Sequence, residues 1–299
     1  MTTPRLLVGT PGVSPRTLAA VEIRRQLRRP FIWIGFVLTI FLLVGNTTDW
    51  SGGSYNDKIL GFLPLVLATL ICGYLTSSRD QRQLLVEDAP LDPNDRTIAR
   101  LVSVTVPVVM SVAIVVAIAV LSRIEGGFWI GDEPRRTDSA LHPVLELFQP
   151  PLLVALAGMF GVAAGRVSRS RAIAIMALGT LVWFLSFPGY WVTNNPPVHA
   201  FALVQVQPLT IDLGSGIEPE QLPENWLVDA PGEFNNVWQR RLVHQPTVAG
   251  HDLYLVGLIA VVAGASIRTR TGRRLVVAGA ILAIGGIIIQ FAVMPSGLT

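Results

Sequence analysis

The chain has 299 residues, 51% of them hydrophobic and 14% charged, with a mean hydropathy of +0.53 and a formal net charge of +3. A soluble domain carries about 25% charged residues, so this composition excludes an ordinary water-soluble enzyme. The missing charge is concentrated in apolar runs close to the ~20 residues that cross a hydrocarbon core, and the chain reads as an all-α, multi-pass integral membrane protein.

The first predicted element is the helix within "SPRTLAAVEIRRQLRRPFIWIGF". Ser14 is its expected N-cap and Pro15 its first residue, where a missing donor costs nothing. Ala20, Ile23, Leu27 and Phe31 share one face, while Glu22, Arg24, Arg25, Arg28 and Arg29 point elsewhere. Such a helix can lie in the membrane interface with its arginines among anionic headgroups. Pro30 then bends the chain into the membrane. The plainer alternative is that these arginines only anchor the first span.

Seven apolar runs follow, at 31–46, 59–77, 101–122, 150–165, 172–193, 253–267 and 275–293. The fourth extends back to Val144, with Glu146 at its end, and the sixth back to Thr247. Pro64, Pro107 and Pro188 are expected inside spans, where neighbouring helices can satisfy the carbonyls they free. Six spans, with the last run lying in the interface, are the alternative. The first run is too long for a signal-peptide core and no small-residue cleavage pattern follows it, so no cleavable leader is expected. The lone Cys72 rules out an intrachain disulfide.

Four domains are expected. Residues 1–30 form an arm and elbow helix, and 31–193 hold five helices with an inner loop at 78–100. Residues 194–252 make an outer cap, and 253–299 hold the last two helices. Seventeen of the 23 basic residues fall on the N-terminal side of the membrane, among them those of the short turns "RVSRSR" and "RTRTGRR". That asymmetry places the N-terminus in the cytoplasm. Within the cap, "VHAFALVQVQPLTIDL" alternates like a strand and "PGEFNNVWQRRLVHQ" is predicted as a short amphipathic helix.

On this reading every Asp and Glu lies in a loop or at a span end, and the four histidines lie in outer segments. A charge at mid-bilayer costs roughly 2.5–3.5 kcal/mol on insertion scales, so proteins keep such groups there only for use, and proton-driven carriers usually need them. Their absence from the runs argues against proton coupling, though not against a sodium-coupled carrier built on carbonyls. A Walker A loop requires a lysine, and the only one, Lys58, sits in "SYNDKIL" on the outer side. The chain is therefore not its own P-loop ATPase, and if ATP drives it, a separate subunit hydrolyses it.

The inner loop, "SSRDQRQLLVEDAPLDPNDRTIARL", reads as a short amphipathic helix ended by Pro90, then a second helix with Asp92 as N-cap and Pro93 first. Leu84, Leu85 and Val86 cluster beside Glu87 and Asp88, a mixture suited to a partner groove. A solvated connector is the simpler reading of the same residues.

Together these features resemble the membrane-spanning permease subunit of ATP-binding-cassette exporters, in the short-loop class that pairs with a separate ATPase. The resemblance covers most of the chain and is one of architecture. That family opens with an elbow helix, carries its coupling helix between spans two and three, and has its longest outer insertion between spans five and six. It implies an ATPase contact through Arg82, Leu84, Leu85, Glu87, Asp88, Asp92 and Arg96, and an interfacial elbow at Arg24, Arg25, Arg28 and Arg29. It further implies no catalytic, metal or cofactor residues in this chain, with ATP and Mg bound by the partner. The other implied partners are a second permease copy or paralogue and membrane lipid, in a bacterial inner membrane, with no nucleic acid. The arginine excess of 22 to one lysine suits a GC-rich, actinobacterial genome. A seventh span departs from the family's usual six.

The expected cargo is hydrophobic or amphipathic, since the runs offer no charge to hold a polar ligand. Trp183, Phe184, Tyr190 and Trp191 either line an exit path or form an interfacial aromatic belt. Ala157, Gly161 and Gly165 permit close helix contact, within the chain or across a dimer. Two other classes remain open. One is a membrane-embedded enzyme using His199, His244 and His251 with Asp229, Glu233 and Asp252, although "HQPTVAGH" lacks zinc-site spacing. The other is a membrane anchor or sensor that recruits a partner.

Overall fold

A computed structural model describes residues 15–45, 61–79, 92–124, 126, 128–130, 137–140, 144–167, 179, 200–203, 209–212, 239–242 and 245–293. The first two helices, α1 (Pro15–Leu27) and α2 (Pro30–Gly45), are bent by 56° to one another. Pro30 supplies no backbone donor, and Arg29 N instead donates to the Gln26 carbonyl at 3.1 Å, tightening the last turn. Trp33 Nε1 donates to the Leu27 carbonyl at 2.7 Å and latches the bend.

The following helix, α3 (Leu63–Ser77), starts four residues after the predicted run because Pro64 occupies its first turn. Pro64 therefore stands in the first turn of α3, just after the turn at Phe62 that separates α3 from helical Gly61. Then α4 (Pro93–Ser103) and α5 (Thr105–Ile124) together form a span-length unit of 32 residues, Pro93–Ile124, broken only at Val104. The break has a local cause, since the Pro107 ring crowds the carbonyl four residues earlier, that of Ser103.

Val144 begins α6 (Val144–Val167), as the extended fourth run anticipates, with Pro150 and Pro151 inside it. The last two helices are α7 (Gln245–Ser266) and α8 (Arg270–Val293). The extended sixth run anticipates the start of α7 to within two residues, but the domain boundary between 252 and 253 is corrected, since Asp252 lies about 10 Å along the helix from its first residue. A charge count ends the apolar run at Asp252, but backbone hydrogen bonding continues through it.

Glycines decide which helices touch. A Cβ on Gly73 of α3 would lie 2.7 Å from the Gly158 carbonyl of α6, and one on Gly165 would lie 2.6 Å from the Tyr74 carbonyl. The small-residue row of α6 thus packs within the chain, against α3. The α7–α8 hairpin is packed as closely. Gly250, Gly257 and Gly264 recur every seven residues on α7, facing Gly286, Gly279 and Gly272 on α8. A Cβ on Gly279 would meet Val261 N at 2.7 Å, and one on Gly264 would meet the Gly272 carbonyl at 2.6 Å. With no hydrophobic drive between helices in lipid, such close backbone approach supplies the van der Waals contact that holds them.

Four of the helical units are long and apolar enough to cross a membrane, and the bent α1–α2 pair makes a fifth; α3 is shorter at 15 residues. Rows of apolar side chains face outward, including Val37 and Phe41 on α2, Val109 and Val116 on α5, and Ile281 and Ile288 on α8. Such surface suits lipid and not water. Val167 and Ala200, flanking the predicted fifth run, lie at opposite ends of the bundle, while the run itself, apart from Gly179, falls outside the described residues.

Two short antiparallel pairs lie outside this helical body: β1 (Phe128–Ile130) with β2 (Thr137–Ala140), and β3 (Leu209–Asp212) with β4 (Gln239–Leu242). The strand-like alternation is realised at β3. The helix predicted at "PGEFNNVWQRRLVHQ" is corrected at its described end, where β4 pairs Gln239 with Asp212 and Leu242 with Leu209. Helix propensity is a weak prior, and a partner strand satisfies these backbone groups instead.

Candidate functional site

One end of the bundle collects the arginines. The α1–α2 elbow, the last turns of α3, α6 and α7, and the first turns of α4 and α8 all meet there. Of the predicted elbow residues, Arg24, Arg25 and Arg28 are exposed, as an interfacial helix requires, while Arg29 is half-buried. Its Nη1 donates to the Cys72 carbonyl on α3 at 3.1 Å, fastening the elbow to the bundle.

Of the predicted apolar stripe, Ala20 and Leu27 on α1 and Phe31 on α2 face outward, while Ile23 is half-buried. What the sequence reading missed is the opposite face. Glu22 and Gln26 are buried where α1 packs against α4. Arg25 Nη1 bridges Glu22 Oε1 at 2.8 Å, and the other carboxylate oxygen, Oε2, is buried with no hydrogen-bond partner among the described residues. Local desolvation, then the Arg29 charge, pushes the Arg79 guanidinium below its ordinary value, and Glu22 opposes this. A polar seam with Glu22 and Gln26 in it joins the elbow to α4.

Asp92 caps α4 as predicted, its carboxylate accepting from Asn94 N at 2.6 Å with Pro93 in the first turn. From there α4 is tied to two further helices. Arg166 Nη1, at the end of α6, donates to Thr97 Oγ1 at 2.7 Å and to the Ser266 carbonyl at the end of α7. The Thr97 hydroxyl in turn donates a hydrogen bond to the Pro93 carbonyl at 2.8 Å. Asn94 Oδ1 accepts from Arg268 N at 3.0 Å in the α7–α8 turn. Arg166 and Arg268 were legible only as topology signals; their role as ties depends on contacts between residues up to 174 positions apart. Arg96 is half-buried on α4, while Arg82, Leu84, Leu85, Glu87 and Asp88 lie outside the described residues.

The far end holds a second polar set. Glu146, Gln149, Thr247, His251, Asp252 and Gln290 are all buried. Gln290 Nε2 donates to the Ala200 carbonyl at 3.3 Å and Tyr254 Oη to the Phe201 carbonyl at 3.1 Å, binding the 200–203 segment to α7 and α8. The His251 and Tyr254 rings stand 6.0 Å apart. Both Asp252 carboxylate oxygens are buried with no hydrogen-bond partner among the described residues. The expectation that acids lie in loops or at span ends and histidines in outer segments is therefore corrected at α7, where His251 and Asp252 are buried within a helix.

Of the residues weighed for an outer catalytic site, only His251 and Asp252 fall among those described. No group of three or more metal-ligating side chains occurs among the described residues. The predicted aromatics Trp183, Phe184, Tyr190 and Trp191 also lie outside them. No family model, curated protein or solved structure matches the chain.

Proposed function

We propose that the chain is the transmembrane subunit of an ATP-driven exporter, moved by a separate ATPase that docks at the arginine-rich end. The observation carrying this reading is the attachment of α4. It leaves the inner loop, runs into α5 with a single break at Val104, and is tied to α6 and α7 through Arg166 and Asn94. A push on the loop would then reach several helices at once, as a coupling element requires.

On this proposal the chain has seven spans with a cytoplasmic N-terminus in a bacterial inner membrane. It works with a second copy or paralogue and two ATPase subunits, which bind ATP and Mg. ATP binding closes the ATPase pair, the loop at 78–100 transmits the motion, and the spans rock to open a path outward for a hydrophobic or amphipathic cargo. Arg82, Leu84, Leu85, Glu87, Asp88, Asp92 and Arg96 form the docking element. Replacing Leu84 and Leu85 with Asp tests this: ATPase association should be lost while membrane insertion stays normal. Unchanged association would remove the loop from the mechanism.

A second reading rests on Asp252. A buried carboxylate in a membrane helix is costly and ordinarily kept for use, which favours a proton-coupled carrier. The Asp252→Asn variant separates the two readings. It should abolish transport in a proton-coupled machine and leave ATP-dependent transport intact in an ATP-driven one.

A further inference from the structure

The turn "RTRTGRR" enters α8 with three arginines that the coupling proposal does not use. Arg270, Arg273 and Arg274 are three and four residues apart and share one face of the first turns. All three are exposed, and none of their side chains meets a hydrogen-bonding or ionic partner among the described residues. For the protein alone this is an unfavourable placement. The helix dipole puts partial positive charge at that end, and three guanidiniums within two turns repel one another.

The same face continues as an apolar row. Val277, Ala278 and Ile281 line a shallow groove with the three arginines, and Ile284 and Ile288 extend the row, exposed. The glycine face of α8 packs on α7, so this row points out of the hairpin. From Val277 to Ile288 the helix rises about 16 Å, close to half of a ~30 Å hydrocarbon core and so to the depth of one leaflet.

We propose that this face of α8 binds one anionic phospholipid, its phosphate held by Arg270, Arg273 and Arg274 and an acyl chain lying along Val277, Ala278 and Ile281. Guanidinium pairs with phosphate through charge-assisted, often bidentate hydrogen bonds, and the dipole of the helix start adds to the positive field. A zwitterionic lipid brings its own ammonium into the same field and is disfavoured. A soluble phosphate would use the arginines but leave the apolar row without purpose. The inference rests on the membrane reading of the chain and is independent of any ATPase partner.

Native mass spectrometry of the full chain in detergent tests it, titrating phosphatidylglycerol, phosphatidylcholine and glycerol phosphate separately. Wild type should retain one phosphatidylglycerol and prefer it over phosphatidylcholine by at least about fivefold, the effect of roughly one arginine at a charged surface. Arg270→Gln, Arg273→Gln and Arg274→Gln combined should bring retention down to the phosphatidylcholine level, and the corresponding lysine replacements should restore most of it. Ala278→Trp leaves the charges in place, fills the row, and should lower retention on its own, so the site stays testable even where the triple variant inserts poorly. Equal retention of both lipids by wild type overturns the proposal. So does full competition by glycerol phosphate, or a second copy of the chain occupying the face and leaving as Ala278→Trp disrupts it.

Discussion

Arg166 offers the sharpest mechanical test of the arginine-rich end. Its guanidinium bonds Thr97 Oγ1 at 2.7 Å and the Ser266 carbonyl, joining α4, α6 and α7 through one side chain. Hydrogen bonds to charged groups contribute about 1.5–3 kcal/mol each. Arg166 is half-buried, so water replaces part of that, and the low end applies to both. Arg166→Ala should therefore cost about 3 kcal/mol. Thr97→Val removes one of the two bonds and should cost about 1.5 kcal/mol. Since the pair shares a bond, the double variant should fall short of their sum by that bond's about 1.5 kcal/mol, well above the ~0.3–0.5 kcal/mol scatter of independent sites. Reversible unfolding of the detergent-solubilised protein measures all three. Additive costs would mean that the Arg166–Thr97 tie carries no energy, and α4 would lose its attachment to α6.

The glycine faces supply an internal control at neighbouring positions. A Cβ on Gly286 would lie 2.5 Å from Tyr254 N, whereas one on Gly285 meets nothing within 4 Å. Gly286→Ala should destabilise by about 1–3 kcal/mol through overpacking, and Gly285→Ala should be neutral or stabilise by up to about 1 kcal/mol; equal effects in a thermal melt would contradict the packing. Asp92→Ala removes the α4 cap and should cost about 1 kcal/mol, seen as faster amide exchange over residues 94–96 with no change at α8. Gly126 has φ +82°, so Gly126→Ala should strain its turn by about 1 kcal/mol while leaving ATPase association untouched.

Much of the helical body is legible in the residues. Apolar runs mark α2, α3, α5, α6, α7 and α8, and the Asp92–Pro93 pair marks the start of α4 because cap and first-turn chemistry are local. The missed features share a physical origin. Counting charges ends a span at Asp252, although a helix continues wherever its backbone bonds close, and so His251 and Asp252 were placed in a loop. Grouping Glu22 with the arginines of the headgroup-facing side hides its burial, since the part of that polar face carrying Glu22 and Gln26 packs on α4. The seven-residue glycine spacing of α7 and α8 was visible in the sequence, but an isolated glycine in a helical pattern reads as weakness until its partner is seen. The ties at Arg166 and Asn94 join distant segments and leave no local trace.

The central claim is that a partner ATPase drives these helices from the arginine-rich end. Its most direct measurement is the mass of the complex released by gentle detergent extraction of the tagged full chain from its native membrane. The account predicts two copies of the chain, or one with a paralogue, bound to two Walker A-containing ATPase subunits whose activity falls when Leu84 and Leu85 become Asp. A chain released with no ATPase, whose transport instead follows the proton gradient and stops in Asp252→Asn, would contradict it.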